Sequence, residues 1–131
     1  MDHAQQLRPS RQHQLVLLVV DDEAIVRNLA QITLERAGYH VLTAADGEEA
    51  LTMARSFTGD IHLLLSDINM PRMDGFRLRE QIVRERPGTS VMLMSGQIDP
   101  GGAVHFLHKP FTPPMLIDAV ARIVRTRAAG R

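Results

Sequence analysis

A chain of 131 residues, 44% hydrophobic and 23% charged, suits one ordinary globular domain with a real core and leaves no room for a second folded module. Its 15 basic and 15 acidic residues cancel, which argues against nucleic acid as the main partner, and the absence of cysteine excludes disulfides and thiolate metal sites. The longest apolar run, six residues, cannot cross a membrane, and the first residues lack the apolar core of a signal peptide, so the expectation is a cytoplasmic protein.

Residues 1–14 are polar and aperiodic and read as a flexible tail, with a matching short tail at 128–131 around a domain spanning 15–127. The first strand, 15–20, is apolar at every position, as expected when both faces of a sheet are covered. From Glu23 to Ala37 the spacing becomes helical, with Val26, Leu29, Ala30, Thr33 and Ala37 on one face and Gly38 to close it. Tyr39–Ala44 reads as a second, more polar strand and therefore an edge strand. Asp46 and Glu49 resemble a capping box that opens a helix through about Phe57.

A third strand covers 61–66, and a third helix runs from near Gly75 to Pro87-Gly88 with Leu78, Ile82 and Val83 inward. The fourth strand is 90–95 and the fifth about 103–107. Thr112-Pro113 opens a last helix, with Thr as N-cap and Pro at the first helical position, whose inner face is Leu116, Val120, Ile123 and Val124. Strands alternating with helices imply a doubly wound, five-stranded parallel sheet.

Acidic residues fall where the strands end. The first strand runs into Asp21-Asp22, the third into Asp67, and the fourth stops at Ser95. Ligands of open parallel sheets sit at these carboxyl ends, and the order 2-1-3-4-5 makes strands one and three neighbours at the switch point. Three ionised carboxylates brought together repel, so they must bind a cation or take up protons. An oxygen-only, few-ligand site suits magnesium. Asp21 or Asp22 can alternatively be helix N-caps, whereas Asp67 is followed by a loop.

The segments ValValAspAspGlu (19–23), AspIleAsnMetProArgMetAspGly (67–75), MetSerGly (94–96) and PheLeuHisLysProPhe (106–111) resemble the receiver domain of two-component response regulators over about residues 14–126. Four such motifs in the right order at compatible strand ends are specific, where any one alone is weak. The resemblance implies a flavodoxin-like fold and a signalling switch that takes a phosphoryl group from a histidine kinase or histidine phosphotransfer protein onto Asp67. It further implies a magnesium ion on Asp22, Asp67 and the Asn69 carbonyl, with Asp21 assisting directly or through water. Lys109 and Ser95 would each engage a phosphoryl oxygen, and Lys109-Pro110 would be a cis peptide that aims the lysine inward. Phe106 matches the family's aromatic switch position; it is equally readable as a strand aromatic that only packs. No enzymatic activity is implied beyond self-phosphorylation and autodephosphorylation, and the output protein is unknown.

One segment departs from the family pattern. Only thirteen residues separate Ser95 from Lys109, and Asp99-Pro100-Gly101-Gly102 lies among them. Proline and two glycines cannot support an ordinary helix there, so the family's fourth helix is expected to be missing or reduced. A monomer or weak dimer follows, because the usual dimer face includes that helix, and the shortened loop resembles receivers of hybrid histidine kinases.

The competing readings are weaker. A haloacid-dehalogenase-like phosphohydrolase needs a second acid two residues after its nucleophile, where Asn69 stands, and a flavin-binding domain needs a hydroxyl- and glycine-rich loop where AspAspGlu stands. A receiver that works without phosphate is disfavoured because every site residue is present. None of His3, His13, His40, His62, His105 or His108 has helical metal-ligand spacing, so they read as solvated or strand-lining. Arg122, Arg125, Arg127 and Arg131 complement the dipole of the last helix.

Overall fold

The computed structural model describes residues 14–102 and 104–129, with side chains through 126. The expected N-terminal tail, with His3 and His13, lies outside the described residues except for Gln14; so do Arg131 and the side chain of Arg127. The elements are β1 (Val16–Val20), α1 (Ala24–Arg36), β2 (His40–Ala44), α2 (Gly47–Ser56), β3 (Leu63–Asp67), α3 (Gly75–Glu85), β4 (Ser90–Ser95), β5 (His105–His108) and α4 (Pro113–Ala129). They build a single parallel sheet in the order β2-β1-β3-β4-β5. The polar second strand is at an edge, as its composition implied. The last helix reaches Ala129, two residues into the stretch expected to be a tail.

Alternation along the strands divides the core into two halves. Leu17, Val19, Leu63, Leu65, Met92, Met94 and Leu107 pack against Ala30 and Leu34 of α1 and Leu116 and Val120 of α4. Leu18, Val20, Leu64, Val91 and Leu93 face the other way, onto Ala50, Leu51 and Ala54 of α2 and Leu78 and Ile82 of α3. Two buried faces explain why β1 and β3 contain no exposed residue at all.

The caps follow local chemistry. Asp46 Oδ1 accepts from the Glu49 N–H at 2.8 Å, while Glu49 Oε1 accepts from the Ala45 N–H at 3.0 Å, a reciprocal box displaced by one residue. Thr112 Oγ1 accepts from the Met115 N–H at 3.3 Å and starts α4. Inner faces were read correctly for α4 and less well elsewhere. Leu29 and Ala37 are exposed and Leu34 is buried instead, because α1 rotates its contact stripe onto the i+4 positions 26, 30 and 34. Val83 is 43% exposed, so α3 buries only Leu78 and Ile82 of the three residues expected. That helix stops at Glu85, before the proline rather than at it.

Between β4 and β5 the described residues, 96–102 and 104, contain no helix. Asp99 Oδ1 accepts from the Gly101 N–H at 2.9 Å, and Gly101 has φ +92°, a left-handed turn that glycine adopts without strain. The expected loss of this helix is therefore met among the described residues. The fifth strand begins at His105, two residues later than expected.

Candidate functional site

The pairing of Val20 with Ser66 sets the ends of β1 and β3 side by side, so the residues that follow them converge. One carboxylate oxygen each from Asp21, Asp22 and Asp67 lies within 4.8 Å of the others. Asp21 is fully buried, Asp67 is 4% exposed, and Asp22 faces solvent. Asp21 is not the cap of α1. The N-cap is Glu23, with no side-chain capping bond, and Asp21 Oδ1 accepts from the Glu23 N–H at 2.9 Å ahead of the helix. Arg27 locks this turn by donating from Nη1 to the Asp21 carbonyl at 2.7 Å.

Lys109 enters from the end of β5, where Ser95 pairs with His108. Its Nζ lies 2.7 Å from Asp21 Oδ2 and 3.4 Å from both Asp67 Oδ1 and Glu23 Oε1. The Lys109–Pro110 peptide is cis. One ammonium cannot satisfy so many carboxylates: Asp21 Oδ2, although close to Lys109, accepts no directed hydrogen bond. Burial, followed by repulsion from Asp21, pushes the Asp67 carboxyl up to about 6 against the pull of Lys109. Burial alone would lower the Lys109 ammonium, but its contacts with Asp21 and Asp67 outweigh it and hold the group raised. Three clustered carboxylates that share a single ammonium form an all-oxygen set with an excess of negative charge, which a hard divalent cation neutralises, so the residues fit a metal ion of that class.

Ser95 is buried, and its Oγ accepts from the Gln97 and Ile98 N–H groups at 3.0 Å each, which leaves its proton free to donate. Asn69 Nδ2 donates to Gln97 Oε1 at 2.7 Å, tying the loop after β3 to the loop after β4. Gly75 allows the first of these loops to pass: a Cβ there would lie 2.4 Å from the Asp67 carbonyl oxygen. Asp74 caps α3 by accepting from the Arg77 N–H and takes no part in the acidic cluster.

These groups open onto a cleft of about 640 Å³, with Asp22, Asp67, Asn69, Ser95 and Lys109 on its polar floor and Val26, Leu29, Pro110 and Phe111 as an apolar wall. The structure thus brings together every residue expected at the site except Phe106, which lies in β5 outside this lining, half-buried and edge-on to His108 at 5.9 Å between ring centres. Glu23, Arg27 and the apolar wall went unread. Glu23 stood in the AspAspGlu run itself, whereas the wall is assembled from two distant segments and leaves no local signal.

The response regulator receiver domain family matches residues 17–121. The chain is 33% identical over 117 residues to the alkaline phosphatase synthesis transcriptional regulatory protein PhoP of Bacillus subtilis, covering 83% of this chain and 48% of that one. It is 36% identical over 129 residues to the probable transcriptional regulator ycf27 of Cyanidium caldarium, covering 91% of this chain and 50% of that one. It spans about half the length of these curated relatives. Among solved structures, the chemotaxis protein CheY4 of Vibrio cholerae superposes with a TM-score of 0.77 at 32% identity, covering 84% of this chain and 98% of that one. The receiver domain of the hybrid histidine kinase CckA does so with 0.70 at 39%, covering 83% and 98%. The chain belongs to the receiver domain family of two-component response regulators, a signalling family rather than one of classical enzymes. Its members interact with histidine kinases or phosphotransfer proteins. Nothing supports the haloacid-dehalogenase alternative. Among the described residues no helix is long and apolar enough to cross a membrane.

Proposed function

We propose that Asp67 accepts the phosphoryl group of a phosphohistidine donor in a magnesium-dependent reaction. The observation that carries this reading is the convergence of Lys109 with the two buried, undercompensated carboxylates of Asp21 and Asp67, beside exposed Asp22, at an open cleft. An Asp67 carboxylate oxygen attacks phosphorus; the P–O bond forms as the P–N bond to the donor imidazole breaks, and the electron pair returns to the ring nitrogen, which takes a proton. Lys109 neutralises an equatorial oxygen, and the free Ser95 hydroxyl proton donates to another once the group has arrived. Asp22, Asp67 and the Asn69 carbonyl would hold the metal, with Asp21 assisting directly or through water. When bound, magnesium supplies the positive charge that offsets phosphoryl oxygens and carboxylates together. Water attack later returns inorganic phosphate and free Asp67, the only turnover the chain performs by itself.

Phe106 turns further inward as Ser95 moves toward the phosphoryl group, and the short connection after β4 keeps the protein monomeric or weakly dimeric. The test is incubation with magnesium and acetyl phosphate, followed by intact-mass analysis. One hydroxylamine-labile phosphoryl group is expected on the wild type and on Asp74→Asn, and none on Asp67→Asn. A phosphoryl group retained by Asp67→Asn, or none on the wild type, overturns the reading.

A further inference from the structure

The two faces of the sheet are covered unequally at β5. On the side of α2 and α3, Val104 and Phe106 pack against the edge of the core but remain partly open, because no helix follows β4 among the described residues. Val83, on the flank of α3, is exposed beside them. Between α3 and the starts of β4 and β5 this leaves a pocket of about 270 Å³.

Its polar lining has one sign. Arg79, His105, Ser90 and Thr89 line it together with Val83 and Val104, and no carboxylate does. Thr89 is already committed, donating from Oγ1 to the Ile61 carbonyl at 2.7 Å. Arg79 is half-buried, yet among the described residues its guanidinium has no ion-pair or hydrogen-bond partner, and neither the Ser90 hydroxyl nor the His105 ring has a hydrogen-bond partner. The contrast with Arg86, seven residues on, is direct: its guanidinium donates to the carbonyls of Ala54, Phe57 and Gly59. A planar cation with its donors free beside two valines is suited to a carboxylate carried on an apolar surface.

We infer that this pocket is the docking site of an acidic amphipathic helix from a partner protein, which lies beside α3 in the layer left open over β5. Its apolar face packs on Val83, Val104 and Phe106, and a carboxylate at its edge reaches Arg79 and His105. The occupant is fixed by charge complementarity and by the missing layer. The pocket lies at the opposite end of β4 from Ser95, roughly 17 Å away along a six-residue strand, so it is separate from the phosphoryl cleft.

The test is a titration of the whole chain, followed by backbone amide NMR, with a blocked helical peptide carrying leucines on one face and glutamates along its edge. Shifts are expected at Arg79, Val83, Ser90, Val104 and His105, and Arg79→Gln should weaken binding by about tenfold. Val83→Ser should weaken it independently of the charge. The same peptide with lysines in place of glutamates should leave these amides unmoved. Equal binding of the lysine peptide, or undiminished binding to both variants, overturns the inference. So does the same set of shifts from inorganic phosphate alone at the peptide's affinity, which would mark a plain anion site. Shifts at these amides that grow with protein concentration before any peptide is added would give the surface to a second copy instead, and overturn it equally.

Discussion

The two ends of this parallel sheet handle buried polar groups in opposite ways. At the amino ends of β1 and β3, the free groups of the Arg79 pocket at β5 aside, the buried polar groups are satisfied: the Val16 N–H donates to His62 Nδ1 at 3.0 Å, Thr89 donates to the Ile61 carbonyl, and Arg86 ties down the end of α2. At the carboxyl end Asp21 is buried with one oxygen held only by an ammonium it shares with Asp67, and Asp67 is pushed up to about 6 beside it. Satisfied groups hold the fold; unsatisfied ones store a demand that a ligand can meet. The same backbone therefore carries a stability end and a reactive end. Substitutions should move free energy in opposite directions at the two.

Arg86→Ala should be the most costly change. It removes four hydrogen bonds from a charged donor and leaves the carbonyls of Ala54 and Phe57 poorly served, a loss on the order of 3 kcal/mol in urea unfolding. A change near zero would erase the contrast between the ends. Asp67→Asn should do the reverse in metal-free buffer. Because Asp67 is raised in the folded chain, the folded state holds the proton better than the unfolded one. The stability this gives is fully present below about pH 4 and lost as pH rises through about 6. At neutral pH the ionised group then costs on the order of 2 kcal/mol after screening by the open cleft, and the asparagine variant should recover it and flatten the pH dependence. Unfolding midpoints measured from pH 4 to 7.5 check both signs.

Magnesium should supply a smaller effect at the same end. With a dissociation constant on the order of 1 mM, typical of a hydrated site with few protein ligands, about 10 mM metal stabilises the fold by roughly 1.4 kcal/mol. Asp22→Asn should remove most of that gain, whereas Arg86→Ala should leave it intact. Thermal scans with and without the metal separate the two cases.

The reactive end was the more legible in sequence, and the reason is physical. A carboxylate at the end of an apolar strand is a local conflict visible within seven residues, as in 15–21, and loops too short for a helix are equally local, as in 96–102. Caps such as Asp46 with Glu49 are set by neighbours three residues apart. The amino end is held by partners distant in sequence. Arg86 serves carbonyls 27 to 32 residues earlier, and His62 serves an amide 46 residues away, so neither differs in pattern from a solvated residue. Leu29 was misread for a related reason: the helix places it in the cleft wall, where only the fold can tell a wall from a core.

Ser95 joins the reactive end to the helix-free connection, and it gives the smallest and most local effect. Its Oγ is the acceptor for the Gln97 and Ile98 amides, while its proton points at no partner among the described residues. Ser95→Ala removes one acceptor from two donors. Each amide loses about 1 kcal/mol of net hydrogen bonding, so hydrogen exchange at Gln97 and Ile98 should quicken by roughly fivefold while exchange in β1 and β3 stays unchanged. Phosphorylation of the wild type should act in the opposite sense. A hydroxyl that donates to the phosphoryl group is held more firmly, and both amides should exchange more slowly as the loop orders around it. If Ser95→Ala leaves these two amides unaltered, the serine does not organise the connection, and the reactive end ends at the strand.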